Sequence, residues 1–260
     1  MEAAMTPFYE RHRATLLALL SFVSIGVVWQ LATWAGLINP LYVSSPTAIW
    51  TQAIDQTMSG ELAANLYISA LEFIVGFGLA MVIGVALGVV AGWFRTVEYV
   101  LDPFVWFTYS APLIAFYPIF VAKLGLGVPT VITIAFLFAM PAIYANTLGG
   151  IQNIDQDLVR MSTSFGAGRR DVFFRVALPA SMSMVVAGLR LSIGRALMGV
   201  VVAEIFGATA GLGYSITYYG QMMQTSRMMV PLLVVIAFGV VLTQGLAALE
   251  TRLDWRGSGA

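Results

Sequence analysis

The side chains able to do covalent chemistry are few and scattered. The chain has one histidine, His12, and no cysteine, which excludes disulfide scaffolds, thiol nucleophiles and Cys/His metal sites. No Gly-x-x-x-x-Gly-Lys-[Ser/Thr] loop occurs, so the chain cannot cradle ATP phosphates itself. There is no cluster of His, Cys or paired acids to work as an enzyme site. What remains is charge in apolar surroundings: Glu72, Arg190, Arg195 and Glu204 stand inside long hydrophobic runs. An ionised group at membrane depth is costly, so it usually faces protein or a water-filled cavity. Arg190 and Glu204 are fourteen residues apart, about four helical turns, and lie on nearly one face. Arg195, nine residues from Glu204, falls on about the opposite face. Two roles follow, one facing a pathway and one pairing with a neighbouring helix. Arg190 has a plainer alternative, which is to snorkel to the inner headgroups. Glu72 would pair with Arg195 or Arg227, or sit at the interface.

The longest polar segment is residues 152–179, QNIDQDLVRMSTSFGAGRRDVFFRVALP. Asn153 followed by Gln156 fits a capping box, and Gly166-Ala167-Gly168 signals a turn. Asp171 and Arg175 stand one helical turn apart, acid before base. Val172, Phe173 and Val176 share one side, and Pro179 is expected to end the helix. The pattern predicts two short amphipathic helices at an L-shaped bend, outside the bilayer and between two spans. Arg169, Arg170 and Asp171 are expected at its surface, either pairing with a partner or forming an ordinary positive inner face. Phe165, Phe173 and Phe174 among those charges favour a protein contact.

These residues must be positioned by membrane helices. Hydrophobic residues make up 59% of the 260 and charged ones 10%, against about 25% charged in soluble domains. The chain reads as an all-α polytopic membrane protein with six transmembrane helices. Residues 15–37 are long enough to cross, since a span needs about 20 apolar residues; no cleavage signal is evident, so the helix is expected to stay. Asn39-Pro40 and Ser44-Ser45-Pro46 break it, and residues 47–58 suit a short amphipathic helix on the outer face. The second span, residues 61–93, carries Gly76, Ala80, Gly84, Gly88 and Gly92 at every fourth position, a groove for close approach of another helix. Arg95 and Glu98 mark a short inner loop, and Asp102-Pro103 opens a third span to residue 121. Pro112 and Pro118 interrupt that span; freed backbone at membrane depth belongs beside protein or a water-filled cavity, so both are pathway candidates.

Lys123 to Pro129 is read as a tight outer turn, followed by a fourth span over residues 130–147. A fifth begins near Ser181 and a sixth covers 229–249. Between them GATAGLGYSITYYGQMMQTSR is too polar for a span. Its Tyr214, Tyr218 and Tyr219 could line an outer gate or belong to an interfacial aromatic belt. With both termini cytoplasmic, the inner side holds Arg11, Arg13, Arg95, Arg160, Arg169, Arg170, Arg175, Arg252 and Arg256. The outer side holds Lys123 and Arg227, which satisfies the positive-inside rule. Net charge of zero offers no whole-chain argument for nucleic acid.

The segment at 152–179 resembles the EAA loop of binding-protein-dependent ABC importer permeases: Glu-Ala-Ala, three residues, Gly, nine residues, an aliphatic, one residue, Leu-Pro. Gly166, Val176, Leu178 and Pro179 fit; Arg160, Met161 and Ser162 stand in place of Glu-Ala-Ala. Downstream GLRLSIGRALMGVVVAEIF and GLGYSI, and upstream SALEFIVGFGLAMVIGVALGVVAG and LDPF, are similar to the nitrate/sulfonate/taurine branch. The resemblance implies an N-terminal helix plus the five-helix type I importer core. Residues 1–60 would form the first span and outer segment, 61–250 the core, and 152–179 the cytoplasmic coupling loop within one 1–260 domain. It implies two ABC ATPase subunits carrying ATP-Mg, with no cofactor on this chain. It further implies a periplasmic or lipid-anchored binding protein, a second permease copy as a homodimer, and residence in the bacterial inner membrane.

ATPase-coupling residues would be Arg160, Phe165, Gly166, Arg169, Arg170, Asp171, Phe173, Phe174 and Pro179. Pathway residues would be Pro112, Pro118, Arg190, Arg195, Glu204 and Tyr214. The implied cargo is a small anion such as a sulfonate, taurine, nitrate or bicarbonate. The alternatives are an uncharged vitamin precursor, an aromatic carboxylate, or a stand-alone secondary transporter, which would need inverted repeats and a broken mid-membrane helix carrying ion ligands.

Overall fold

The computed structural model describes residues 6–39 and 41–253; Pro40 and Arg256, which figure in the expectations above, lie outside them. Every regular element among the described residues is helical. In chain order these are α1 (Thr6–Trp34), α2 (Pro46–Met58), α3 (Glu61–Trp93), α4 (Arg95–Ser110), a 3₁₀ turn (Leu113–Phe116), α5 (Tyr117–Leu124) and α6 (Val128–Gln152). There follow α7 (Gln156–Ser164), α8 (Arg169–Val172), a π turn (Phe173–Ala177), α9 (Leu178–Gly207), α10 (Leu212–Gln221) and α11 (Thr225–Leu253).

Four helical runs are long and apolar enough to cross a membrane: Glu61–Trp93, Val128–Gln152, Arg169–Gly207 and Thr225–Ala248. The pair Arg95–Ser110 and Leu113–Leu124 makes a fifth if its 91° bend is counted within one span. The helix expected over 15–37 is present in α1, which runs to Trp34.

The bundle is built on α6, packed between α3 and α9. The four-residue groove of α3 receives α6 along its length. A Cβ at Gly76 would stand 2.8 Å from that of Ala135, at Gly84 3.0 Å from Ile143, at Gly88 2.6 Å from Thr147 and at Gly92 2.7 Å from Ile151. Only hydrogen at these positions lets the two backbones come so close. On its other side α6 meets α9 through Gly150, Gly188 and Gly199. Ile134, Ala135, Ile143, Ala196 and Val200 are buried at this double seam, while Ile74, Val82, Phe104, Phe107 and Val241 stay exposed on outer faces, where lipid or a partner would cover them.

Three local expectations are corrected. Arg95 and Glu98 are not a loop but the first turn of α4, which reaches through Asp102 and Pro103; the Asp102 carboxylate accepts a 2.7 Å hydrogen bond from the Tyr144 hydroxyl of α6. The break expected from two prolines falls at Ala111-Pro112 alone, and Pro118 occupies the first turn of α5, where its missing N–H costs nothing. Pro179 does not stop its helix. The N–H of Leu178 reaches back five residues to the Phe173 carbonyl, and this π turn absorbs the ring that an α-helix interior would reject. The run therefore continues from Arg169 to Gly207 over 39 residues.

Candidate functional site

At one end of the bundle the polar segment forms an elbow. Its first helix, α7, is capped by Asp155, whose side chain accepts from the Asp157 N–H. The expected Asn153–Gln156 capping box is absent because Asn153 ends α6 and donates its amide to the Gly149 carbonyl. The bend falls at Gly166, with φ +84°, a conformation that favours glycine. Phe165 is 87% exposed at the tip and Phe174 63%; Arg160, Arg169 and Arg170 are exposed and Asp171 half-buried. The expected pair Asp171–Arg175 forms at 3.5 Å, and Asp157–Arg160 at 3.6 Å, both too solvated to contribute much.

Phe173, expected at the surface, is instead partly buried against the end of α3. Its ring lies 4.8 Å from Trp93, and the Arg169 guanidinium stands 5.8 Å over the same indole. Trp93 was not singled out in the sequence; its signal was a lone tryptophan closing the glycine-grooved helix. These contacts put Arg95 at the same end as Arg160, Arg169, Arg170 and Arg175, while Lys123 and Arg227 sit at the other.

That other end is held by a buried polar latch. Glu204 is 1% exposed. One of its oxygens accepts a 2.5 Å bond from the Ser69 hydroxyl of α3, the other a 2.6 Å bond from the Gly213 N–H. Ser69 in turn accepts from the Leu212 N–H at 2.8 Å, and Asn65, one turn earlier, accepts from the Gly211 N–H at 2.8 Å. Gly211, with φ +116°, and Gly213 leave no space for a Cβ against the Glu204 side chain. The GATAGLG turn is thus wrapped around one carboxylate. Asn65 and Ser69 escaped the sequence reading, although two polar residues four apart in an apolar run were a usable signal.

Glu72 pairs with neither Arg195 nor Arg227. It is fully buried beside Glu204, and neither of its oxygens meets a donor in hydrogen-bonding geometry. Arg190 and Glu204 do not share an environment either, because Arg190 is exposed and Glu204 is enclosed.

Next to the latch, the stretch read as too polar for a span forms the short helix α10. Tyr214 and Tyr218 stack with ring centres 5.9 Å apart. The buried Tyr219 donates to Glu61; burial, then this carboxylate, push its phenol up to about 12, with Arg227 opposing. Arg227 itself binds Gln52 at 2.9 Å and Asp55 at 2.8 Å, fastening α2 to α11.

Between the two ends lies Arg195. Its guanidinium donates to the Tyr109 hydroxyl at 2.5 Å and lies 4.3 Å over that ring. Tyr109 is the penultimate residue of α4, just before the Ala111-Pro112 break. Tyr109 is 40% exposed and Arg195 is partly exposed beside it.

Membrane-length helices packed on small-residue seams, with a polar elbow at one end and a latched turn at the other, define a polytopic membrane transport component. The chain belongs to the family of binding-protein-dependent transport system inner membrane components, whose model matches residues 81–255. It is 29% identical over 232 residues to the putative aliphatic sulfonates transport permease protein SsuC of Bacillus subtilis, covering 89% of this chain and 84% of that protein. It is 28% identical over 245 residues to the taurine transport system permease protein TauC of Escherichia coli, covering 90% and 87%. A chain of the MetNI methionine ABC transporter, solved in inward-facing conformations, shares the fold with a TM-score of 0.63 at 19% identity, over 76% of this chain and 99% of that one.

Proposed function

We propose that this chain is the membrane-spanning subunit of an ATP-driven importer for a small oxyanion such as a sulfonate, taurine, nitrate or bicarbonate. The elbow carries this reading. Phe165 and Phe174 expose apolar rings beside Arg169 and Arg170 on a bent, helix-flanked projection. A surface of aromatic anchors rimmed by cations fits an acidic, apolar-floored groove on a partner. That partner is an ABC ATPase, two copies of which would bind ATP-Mg, since this chain lacks a phosphate-binding loop. The elbow would work as the coupling loop over 152–179, with the ATPases on the cytoplasmic side of the bacterial inner membrane.

Six spans with both termini cytoplasmic agree with the segregation of basic residues, Arg95, Arg160, Arg169, Arg170 and Arg175 at the elbow end against Lys123 and Arg227 at the other. At that outer end a cleft of about 490 Å³, lined by Gln52, Met223 and Arg227 among others, would face a periplasmic or lipid-anchored binding protein. A homodimer would cover the exposed apolar faces of α4 and α11. The cargo class follows the sulfonate and taurine relatives.

The test is reconstitution with an ABC ATPase and a substrate-binding protein from the same organism, scored for ATP-dependent anion uptake. Arg169→Glu with Arg170→Glu should detach the ATPase or abolish its stimulation by loaded binding protein. Full stimulation in the double variant, or uptake without any ATPase subunit, would overturn the reading.

A further inference from the structure

Arg195 carries a permanent charge deep in a spanning helix, about 26 Å along α9 from Leu178 and about 18 Å from Gly207 at 1.5 Å per residue. Among the described residues no carboxylate forms an ion pair with it; its partner is a neutral phenol. A cation kept at such depth normally has a counter-charge or a wet cavity. The neighbouring backbone is interrupted. Tyr109 stands where α4 stops, one residue before a 91° break, and interrupted backbone at this depth is tolerated only against protein or water.

The hydrogen bond also has a direction. Arg195 donates and the Tyr109 oxygen accepts, which leaves the phenolic proton and most of the guanidinium fork unused. The ring beneath the guanidinium holds the fork in place. A planar fork beside an O–H donor matches the oxygens of a sulfonate, carboxylate or bicarbonate, and the distance from both helix ends separates it from lipid headgroups.

We propose that Arg195 and Tyr109 form an oxyanion-binding station on the translocation path, at the break of α4, through which the cargo passes. The station rests on the anion-importer reading above.

The absence of cysteine makes it testable in the assembled transporter. Ser110→Cys places a single thiol next to Tyr109, and its reaction rates with a sulfonate-bearing and a trimethylammonium-bearing methanethiosulfonate are compared, each relative to a free thiol. With Arg195 intact the anionic reagent should be favoured about tenfold, and Arg195→Gln should erase that preference. In proteoliposomes, Arg195→Gln should lower uptake of labelled taurine, sulfonate or bicarbonate, whichever the wild type carries, by about tenfold or more, with ATPase stimulation by the binding protein retained. Arg195→Lys should keep the reagent preference while losing uptake, because it restores charge without the fork; it carries the test if Arg195→Gln does not assemble.

An unchanged reagent ratio in Arg195→Gln, no anionic preference with Arg195 intact, or wild-type anion uptake in either variant overturns the station alone. A wild-type complex that carries only uncharged solutes overturns the anion-importer reading and the station with it.

Discussion

Gly88→Ala probes the α3–α6 seam with the smallest intrusion available. The added Cβ would lie 2.6 Å from the Thr147 Cβ and 2.9 Å from the Tyr144 carbonyl oxygen, where carbon–carbon contacts settle at about 3.5–4.0 Å. Both obstacles are backbone or the first side-chain atom, so no rotamer change clears them. The helices must part by about 1 Å, and a gap of that size forfeits between a quarter and a half of each dispersion contact. Gly84 and Gly92 hold the same two helices on either side, so the loss extends along the seam. Overpacking of this kind costs about 1–3 kcal/mol, and the tight geometry places Gly88→Ala at about 2–3 kcal/mol.

Gly78 provides the control. It lies on the same helix with nothing within 4 Å of its Cβ position, so Gly78→Ala should stay within about 0.5 kcal/mol of wild type. Unfolding in mixed micelles titrated with SDS measures both. Adding Thr147→Gly to Gly88→Ala should recover about 1 kcal/mol in a double-mutant cycle, because it removes the nearest obstacle. Equal stability of the two alanine variants, or no coupling to Thr147, would refute the close-packing account.

Other expectations concern the two ends. Ser69→Ala leaves the Leu212 N–H without its acceptor and one Glu204 oxygen without its donor, a loss of about 1–3 kcal/mol; amide exchange at Leu212 and Gly213 should quicken well before that of α6, and unchanged protection would dismiss the latch. For Tyr219 the neutral phenol is the form the fold prefers, so its contribution is complete below the ordinary tyrosine pKa of about 10 and is lost as pH rises through about 12. Tyr219→Phe should cost about 2 kcal/mol at pH 8 and flatten the fall in stability above pH 10; an unaltered high-pH slope would count against this. Trp93→Ala should free the elbow from α3, reducing uptake per ATP hydrolysed while the ATPase still binds; wild-type coupling would show that the stacking is incidental.

What the sequence disclosed is governed by how local the cause is. Residues 61–93 were readable at both ends because Gly60, at φ +79°, and the run's own hydropathy bound it, and the four-residue glycine period announced the partner groove. Two nearby prolines foretold the bend in the third span, though only Pro112 makes it. Pro179 misled because the usual rule concerns α-helical bonding, and a π turn evades that rule by shifting each bond one residue back. The capping box failed because Asp155 offered a competing carboxylate two residues from Asn153. The latch was out of reach for a different reason. Ser69 and Glu204 are 135 residues apart, and no periodicity of either helix says which polar side chain across the bundle will satisfy the other.

The length of the run from Arg169 to Gly207 ties these observations together. Its 39 residues extend about 58 Å, against a hydrocarbon core of about 30 Å. The elbow's arginines stand at its start, Arg195 in its middle and the Glu204 latch near its end. An unbroken α-helix transmits rotation, and the irregularity in this one lies at Phe173–Ala177, where the bonding shifts from α to π and Pro179 follows in the next turn. Under the proposed function, movement imposed at the elbow has two outlets: flexing at the π turn, or displacement of Arg195 and Glu204 together. Trp93 decides between them, because it grips both Arg169 and Phe173 and so braces the π turn from the side of α3. With the brace in place flexing at the π turn is closed off, and a push on Phe165 at one face is felt by the turn wrapped around Glu204 at the other.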